Sequence, residues 1–380
     1  MTVIGIFLAV VLAFFIVRML YHRAGLRGLD VQVSYSKPRA TEGAKLVLTT
    51  VLTNAMWLPL PWVSVKLKMS RHLLFADMEN AQVTDFFYRN DLYSILMRQR
   101  ITRRLAFTCG NRGYYPIPNV DITAWDILME TKTAHIVECN AHLTVYPAYL
   151  PVEEVDEICV QIYGQLKARN IIYPDPFSFR GIREYSHHDP LKAVNFKASA
   201  KAQELMVNLW EHTNARQVIL LYNLQRYSLW HNEVLDEYSI KLTASLAERL
   251  TSINVPVRFI TNGHSVITSD AAAEGITEVA EGIGEMQQER ILETLAYLDV
   301  TQTNVTPFAQ ILTSTAEAYK YEPEYWLIST YHEPDLEAAY KELLAQGARA
   351  VWVMPAKIGI RLSADDITLS PEIREQVILA

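Results

Sequence analysis

Gln217-Val-Ile-Leu-Leu-Tyr222 is a largely apolar run with no charged residue, and a second strand-like run, Val255-Pro-Val-Arg-Phe-Ile260, follows after a long amphipathic segment. A continuous run of this kind suits a strand buried on both faces. Between the two, Asn232 to Ser252 places Leu235, Ile240, Leu242, Leu246 and Leu250 at helical spacing. Helical spacing returns at Glu285–Leu298 and Thr306–Tyr319. Tyr325–Thr330 then reads as a strand, Asp335–Gln346 as a helix capped by Gly347, and Arg349–Met354 as a strand. Strands alternating with helices predict an open doubly wound α/β sheet of parallel strands.

Ligands of such sheets bind beyond the carboxyl ends of the strands. Those ends are Asn223-Leu-Gln-Arg-Tyr-Ser228, Thr261-Asn-Gly-His264 and Ser329-Thr-Tyr-His332. The sequence contains no Gly-x-Gly-x-x-Gly and no Gly-x-x-x-x-Gly-Lys-Ser/Thr, the glycine loops that cradle dinucleotides and nucleotide phosphates.

Upstream, Val155–Arg169 has helical spacing, and before Tyr146 the period changes to two. Val31–Tyr35, Lys45–Thr53, Trp62–Met69, Ile101–Thr108, Ile117–Ala124 and Ala141–Tyr146 are β-branched and aromatic-rich. Turn chemistry separates them at Glu42-Gly43, Asn54 through Pro61, and Cys109-Gly-Asn-Arg-Gly113. The pattern predicts an antiparallel sandwich of immunoglobulin-like size, with Trp57, Trp62, Tyr114 and Tyr115 as core or corner residues.

Thr2 to Val17 has no charged side chain, and with Arg18 and Tyr21 placed to snorkel the run reaches about twenty residues, enough to cross hydrocarbon as a helix. The basic residues Arg18, His22, Arg23 and Arg27 follow the run, whereas a cleaved signal carries them ahead of it. The reading is a membrane anchor over residues 2–21 with the C-terminal side in the cytoplasm. The fold class is therefore multidomain α+β: a transmembrane helix over 1–24, a β-sandwich over 28–150, and a doubly wound α/β domain over 151–380. The net charge of −7 argues against a general nucleic-acid coat. Cys109, Cys139 and Cys159 form no Cys-x-x-Cys pair and read as reduced, packed thiols.

One polar island, Asp175 to Lys201, sits between the halves. From Leu166 to Lys201 the bases 167, 169, 180, 183, 192, 197 and 201 outnumber the acids 175, 184 and 189. Arg180, Arg183 and Glu184 read as loop. Asp189-Pro190 reads as the cap of a short helix to about Ala200 that places Lys197 and Lys201 one turn apart. Two readings stand. Arg180, Arg183, Glu184, Tyr185, Asp189, Lys192, Asn195, Lys197 and Lys201 form a docking patch for an acidic partner or phosphate. Alternatively, Arg180, Arg183, Glu184, Tyr185 and Asp189 form an internal ion-pair network. Adjacent His187 and His188 lack a third ligand at telling spacing and are not read as a metal site.

The run Phe177-Ser-Phe-Arg-Gly-Ile-Arg-Glu-Tyr185, then Asp189-Pro-Leu-Lys-Ala-Val-Asn-Phe-Lys-Ala-Ser-Ala-Lys201 and Glu204-Leu-Met-Val207, resembles the domain-of-unknown-function 58 family. Phe196 and Lys201 replace that family's usual tryptophan and arginine. Asn54, Pro59-Leu-Pro61-Trp62, Arg112-Gly-Tyr-Tyr115 and Asp126 resemble its N-terminal strand domain. The resemblance implies a membrane-anchored protein with a von Willebrand factor A-like α/β domain spanning 151–380 and carrying a 175–207 signature. It also implies a chaperone-like or assembly role with a MoxR-type AAA+ ATPase. True von Willebrand A domains hold a divalent cation on Asp-x-Ser-x-Ser, a carboxylate and hydroxyls converging on one ion. The matching positions here are Asn223, Gln225 and Tyr227, so no metal and no cofactor is expected.

The leading expectation is a membrane-anchored, non-enzymatic interaction protein. The first alternative is a hydrolase or transferase using Asp189, His187 or His188, Asn223 and Gln225. The second is a sandwich that binds ligands outside the cytoplasm.

Overall fold

The computed structural model describes residues 2–24, 28–77, 81–84, 86–127, 129, 132–168, 179–184, 199, 201, 204–210, 217–226, 233–266, 275–301, 305–319, 323–356, 369–374 and 377–380. The chain forms two compact units, Met1–Ala148 and Tyr149–Ala380.

The first unit begins with helix α1 (Thr2–Ala24) and continues in strands: β1 (Leu29–Tyr35), β2 (Arg39–Thr41), β3 (Lys45–Asn54), β4 (Leu60–Ser70), β5 (Leu73–Phe75), β6 (Ala81–Val83), β7 (Phe86–Ile95), β8 (Arg100–Cys109), β9 (Gly113–Trp125) and β10 (Lys132–Tyr146). They form a four-stranded sheet, β1-β3-β8-β5, and a six-stranded sheet, β2-β10-β9-β4-β7-β6. Every pairing is antiparallel except β2 with β10. Period-two alternation sends one side of each strand into a core shared by both sheets, including Leu48, Leu52, Val63, Ile95, Ile117 and Leu143. Phe75 links the sheets, 4.6 Å from the Phe87 ring and 5.2 Å from that of Phe107. This is the β-sandwich the alternation predicts.

Tyr115 makes the expected corner: its hydroxyl meets the carbonyls of Asn111 at 2.8 Å and Arg112 at 2.9 Å. Trp57 and Trp62 lie outside the core, being 61 % and 44 % exposed. Trp57 sits in the turn between β3 and β4, and Trp62 points away from the core beside a register shift in β4.

The second unit opens with α2 (Val152–Ala168), then β11 (Phe179–Glu184), β12 (Met206–Trp210), β13 (Val218–Asn223), α3 (Glu233–Ser252), β14 (Val257–Thr261), β15 (Thr277–Gly282), α4 (Gly284–Tyr297) and α5 (Phe308–Ala318). It ends with β16 (Glu324–Ser329), α6 (Pro334–Ala345), β17 (Arg349–Met354), α7 (Pro371–Arg374) and β18 (Val377–Leu379). The main sheet has the order β15-β14-β13-β16-β17-β18. Strands β14, β13, β16, β17 and β18 are parallel, and β15 is an antiparallel edge that the sequence reading lacked. Opened by Gln217, β13 is central, and Val218 to Asn223 are all buried. Helices cover both faces. On one, Tyr163 of α2 meets Trp326 edge-on at 6.1 Å. On the other, α5 and α6 pack Phe308, Leu312, Leu336 and Tyr340 against Leu221, Leu327 and Trp352.

In α3, the buried hydroxyls of Ser239, Thr243, Ser245 and Thr251 bond carbonyls four residues back at 2.7–2.8 Å, which lets polar side chains face the core. Gly347, at φ +82°, ends α6 where a side chain would be strained.

Glu337 on α6 ties the helix to the chain before α7. Both its oxygens accept from Ser370 N–H at 3.3 Å, and Lys341 pairs with it at 2.6 Å. Burial alone would raise its pKa; the bonds from Lys341 and Ser370 outweigh burial and hold it below 4.5. Its stabilisation is therefore full above the unfolded-state pKa and disappears as pH falls through the lower folded-state value. Glu337→Gln is expected to be less stable than the wild type at neutral pH, with the difference shrinking as the pH falls far enough to protonate Glu337 in the folded protein, as read by chemical unfolding over an acid pH series.

Candidate functional site

At the carboxyl edge of the parallel sheet, where α/β proteins hold ligands, three strand ends meet through side chains. Asn223 ends β13, Asn262 follows β14, and Ser329 ends β16; all three are buried. Asn223 Nδ2 donates to Ser329 Oγ at 3.0 Å. Asn223 Oδ1 accepts from Gln225 N–H at 2.8 Å and from Asn262 Nδ2 at 3.1 Å. Asn262 Oδ1 accepts from Leu224 N–H at 2.8 Å, and Asn262 Nδ2 also donates to Thr306 O at 3.1 Å. Gln225 Oε1 accepts from Phe308 N–H at 3.0 Å and so satisfies the first amide of α5. Ser329 Oγ bonds the backbone of Tyr331, and Trp352 Nε1 donates to Ser329 O at 3.2 Å.

The arrangement is neutral and internally satisfied. A divalent cation of the hard type needs anionic or free oxygen donors. Both lone pairs of Asn223 Oδ1 are engaged by N–H groups, and Gln225 Oε1 faces an amide donor. Asn223 and Gln225 therefore do not fit the adhesion-type cation site; they lock the turns after β13 and β14 to the start of α5. Tyr227, the third position, lies outside the described residues. Among the described residues no group of three or more His, Cys, Asp and Glu is placed to hold a metal ion.

The signature stretch is described only in part. Arg180, Arg183 and Glu184 lie on β11, not in the expected loop. β11 pairs antiparallel with β12, Arg183 opposite Val207 and Glu184 opposite Met206, and the register shifts between Phe179 and Gly181 at Arg180. The loop reading failed because polar side chains outnumber apolar ones there, while the ladder bonds belong to the backbone. The side chains of these three residues lie outside the described ones. So do Tyr185, His187, His188, Asp189, Lys192, Asn195 and Lys197, and with them most of the expected short helix. Ser199 and Lys201 are helical, Lys201 is exposed, and Ser199 Oγ accepts from Met206 N–H at 2.9 Å.

The sequence reading also missed a charge cluster inside the sandwich. Arg89 is 1 % exposed and Asp91 likewise. Arg89 Nε meets both Asp91 oxygens at 2.9 and 3.0 Å, and its terminal nitrogens meet Asp77 O and Asp77 Oδ2, each at 2.9 Å. Arg103, from the opposite sheet, reaches Asp91 Oδ1 at 3.0 Å. Burial lowers the Arg89 pKa, but Asp91 and Asp77 outweigh it and leave the net value raised. The signal was phase: Arg89 and Asp91 fall on the same alternate positions of β7 as Phe87, Tyr93 and Ile95.

A groove of about 920 Å³ opens on the outer face of the six-stranded sheet, lined by Lys66, Lys68, Tyr88, Asn90, Asn119 and Asp121 among others. Its charges are mixed: Lys66 faces Asp121 across β4 and β9. The three cysteines are buried and unbridged, and burial pushes the Cys109 and Cys159 thiols up to about 11.

No family model matches the chain, and no curated protein matches it. Solved structures similar to part of it include a CARDB domain with di-metal ions from Pyrococcus furiosus, at 13 % identity over 31 % of this chain and 93 % of that one, with a TM-score of 0.21. A non-cellulosomal cohesin from Archaeoglobus fulgidus is 14 % identical over 34 % of this chain and 96 % of its own, with a TM-score of 0.22. Likenesses this slight bear on no functional argument.

Proposed function

We propose that the chain is a membrane-anchored, non-enzymatic interaction protein whose C-terminal unit is a von Willebrand factor A-like domain, facing the cytoplasm and working with a MoxR-type AAA+ ATPase. The observation that carries the anchor is α1. Ile4–Tyr21 has a mean hydropathy of 2.5, and the helix is exposed around its circumference, with Ile4, Phe7, Leu8 and Leu12 each more than 60 % exposed. A helix apolar on all sides and exposed over nearly all of its described length is stable in hydrocarbon, not in water. Secretion signals share this length and composition; the basic residues Arg18 and Arg23 after the apolar run favour an anchor with the cytoplasm on their side.

The strand-end network supports the non-enzymatic part. Where α/β proteins place ligand chemistry, Asn223, Asn262 and Ser329 spend their hydrogen-bonding capacity on one another and on nearby backbone. The partner rests on the resemblance of the signature stretch and on its excess of basic residues. Co-purification of the full chain from detergent, with and without Arg180→Ala and Arg183→Ala, tests it. Loss of the ATPase from correctly folded variants is expected; unchanged recovery removes these arginines from docking. Because the native cysteines are buried, topology is read with a cysteine introduced at exposed Lys37. It is expected to resist a membrane-impermeant maleimide in intact cells and to react after lysis. Labelling in intact cells would instead place the sandwich outside.

A further inference from the structure

The end of the sandwich that receives α1 is built of turns that carry exposed apolar side chains. Three turns converge there: between β3 and β4, between β7 and β8, and between β9 and β10. Their shared position follows from the pairings Leu29 with Asn54, Thr53 with Arg100, Leu60 with Ile95, and Trp125 with both Trp62 and Lys132. Buried Asn54 binds two of the turns together: Nδ2 donates to Leu58 O at 2.9 Å and to Leu96 O at 3.0 Å, while Oδ1 accepts from Met56 N–H at 3.0 Å. Arg98 N–H adds a bond to Met56 O at 3.0 Å.

The first two turns are held by these bonds, and the described residues at the tips of all three are apolar and open. Trp57, Leu96, Met97, Ile127 and Met129 are all more than half exposed, with Trp62 beside them. Large apolar side chains gathered together on exposed turns mark an interaction surface. The anchor helix indicates the occupant. Tyr21, the last residue of the apolar span, packs against the sandwich core and donates from its hydroxyl to Pro59 O at 2.6 Å, two residues from Trp57. Ala55 N–H meets Gly28 O at 2.8 Å, so the chain returning from the helix is tied to the same turn. The turn tips thus lie at the depth where the span ends, which is the headgroup layer. Tryptophan is favoured in that layer, and the exposed bases Arg23, Arg98 and Arg100 suit anionic headgroups.

We propose that this end of the sandwich is seated in the lipid interface, with Trp57, Leu96, Met97, Ile127 and Met129 inserted among the headgroups. The occupant is the surface of the bilayer that α1 crosses, and the inference rests on the anchor reading above. Seating fixes the sandwich upright on the membrane; it does not swing on a tether.

The test uses the full chain reconstituted in phosphatidylcholine–phosphatidylglycerol vesicles. A polarity-sensitive fluorophore is placed singly at Met97→Cys, at Leu12→Cys in α1, and at Lys37→Cys at the far end of β1; the buried native thiols stay unlabelled. Quenching by doxyl-labelled lipid and by aqueous iodide is then compared. The expected result is several-fold stronger lipid quenching at position 97 than at 37, with iodide quenching in the reverse order and strong lipid quenching at 12. If 97 is as open to iodide as 37 while 12 stays lipid-quenched, seating is wrong and the anchor stands. If 97 is shielded from both quenchers, protein covers the turns and seating is again wrong. If 12 escapes lipid quenching, the anchor itself fails and the inference with it. Trp57→Cys gives a second reading at the same depth.

Discussion

Asp91→Ala is expected to lower the stability of the first unit by about 3–5 kcal/mol, the loss typical of leaving one member of a buried ion pair uncompensated. Arg89 lies fully inside the sandwich, and Asp91 supplies two of its contacts. Without Asp91 the Arg89 Nε–H has no acceptor, and Arg103 loses its 3.0 Å partner in the facing sheet. Asp77 cannot move in to replace it, because it already binds the far side of the guanidinium and is itself partly exposed. Hydrogen exchange of peptides from β7 and β8 in the intact protein reads this locally, which matters because a chain of two units need not unfold in one step. A replacement of Arg89 and Asp91 together by Met and Leu is expected to cost far less. An Asp91→Ala protein with unchanged exchange in β7 would show that water enters the cluster.

Asn262→Ala is expected to cost about 2–4 kcal/mol in the second unit, since the buried Leu224 N–H loses its partner at about 1–3 kcal/mol and the half-buried Thr306 O loses its partner at less. Asn223 Oδ1 keeps its bond from Gln225 N–H, so the β13 end is loosened, not released. Faster hydrogen exchange is expected after β13 and at the start of α5, with the sandwich unaffected. Uniform exchange across the chain would show that Asn262 does not tie these segments together.

The contrast between the two sites shows what was legible in the sequence. The apolar run at Gln217–Tyr222 reads as a strand because burial on both faces leaves no room for polar side chains. The strand-end residues Asn223, Asn262 and Ser329 were marked by position alone, since α/β sheets place ligand sites there. Their mutual bonding was not legible: it joins residues 106 and 39 positions apart and depends on the strand order β14-β13-β16. Strand β7 was missed for the opposite reason. Arg89 and Asp91 face inward, so the hydrophobic alternation breaks where the geometry does not. Trp57 and Trp62 were read as core or corner residues; neither lies in the core, and the turn that carries Trp57 meets the end of α1. Edge strands β15 and β18 were absent from the reading because an edge buries only one side and carries little apolar signal.

The central claim is that this chain acts by holding a partner at the membrane. It is tested most directly by crosslinking native membranes, extracting the full chain in mild detergent, and identifying the proteins attached to it by mass spectrometry, with ATP, with ADP and without nucleotide. The account predicts an AAA+ ATPase recovered in amounts comparable to the chain itself in at least one nucleotide state. Recovery of the chain without any ATPase in all three states would contradict it.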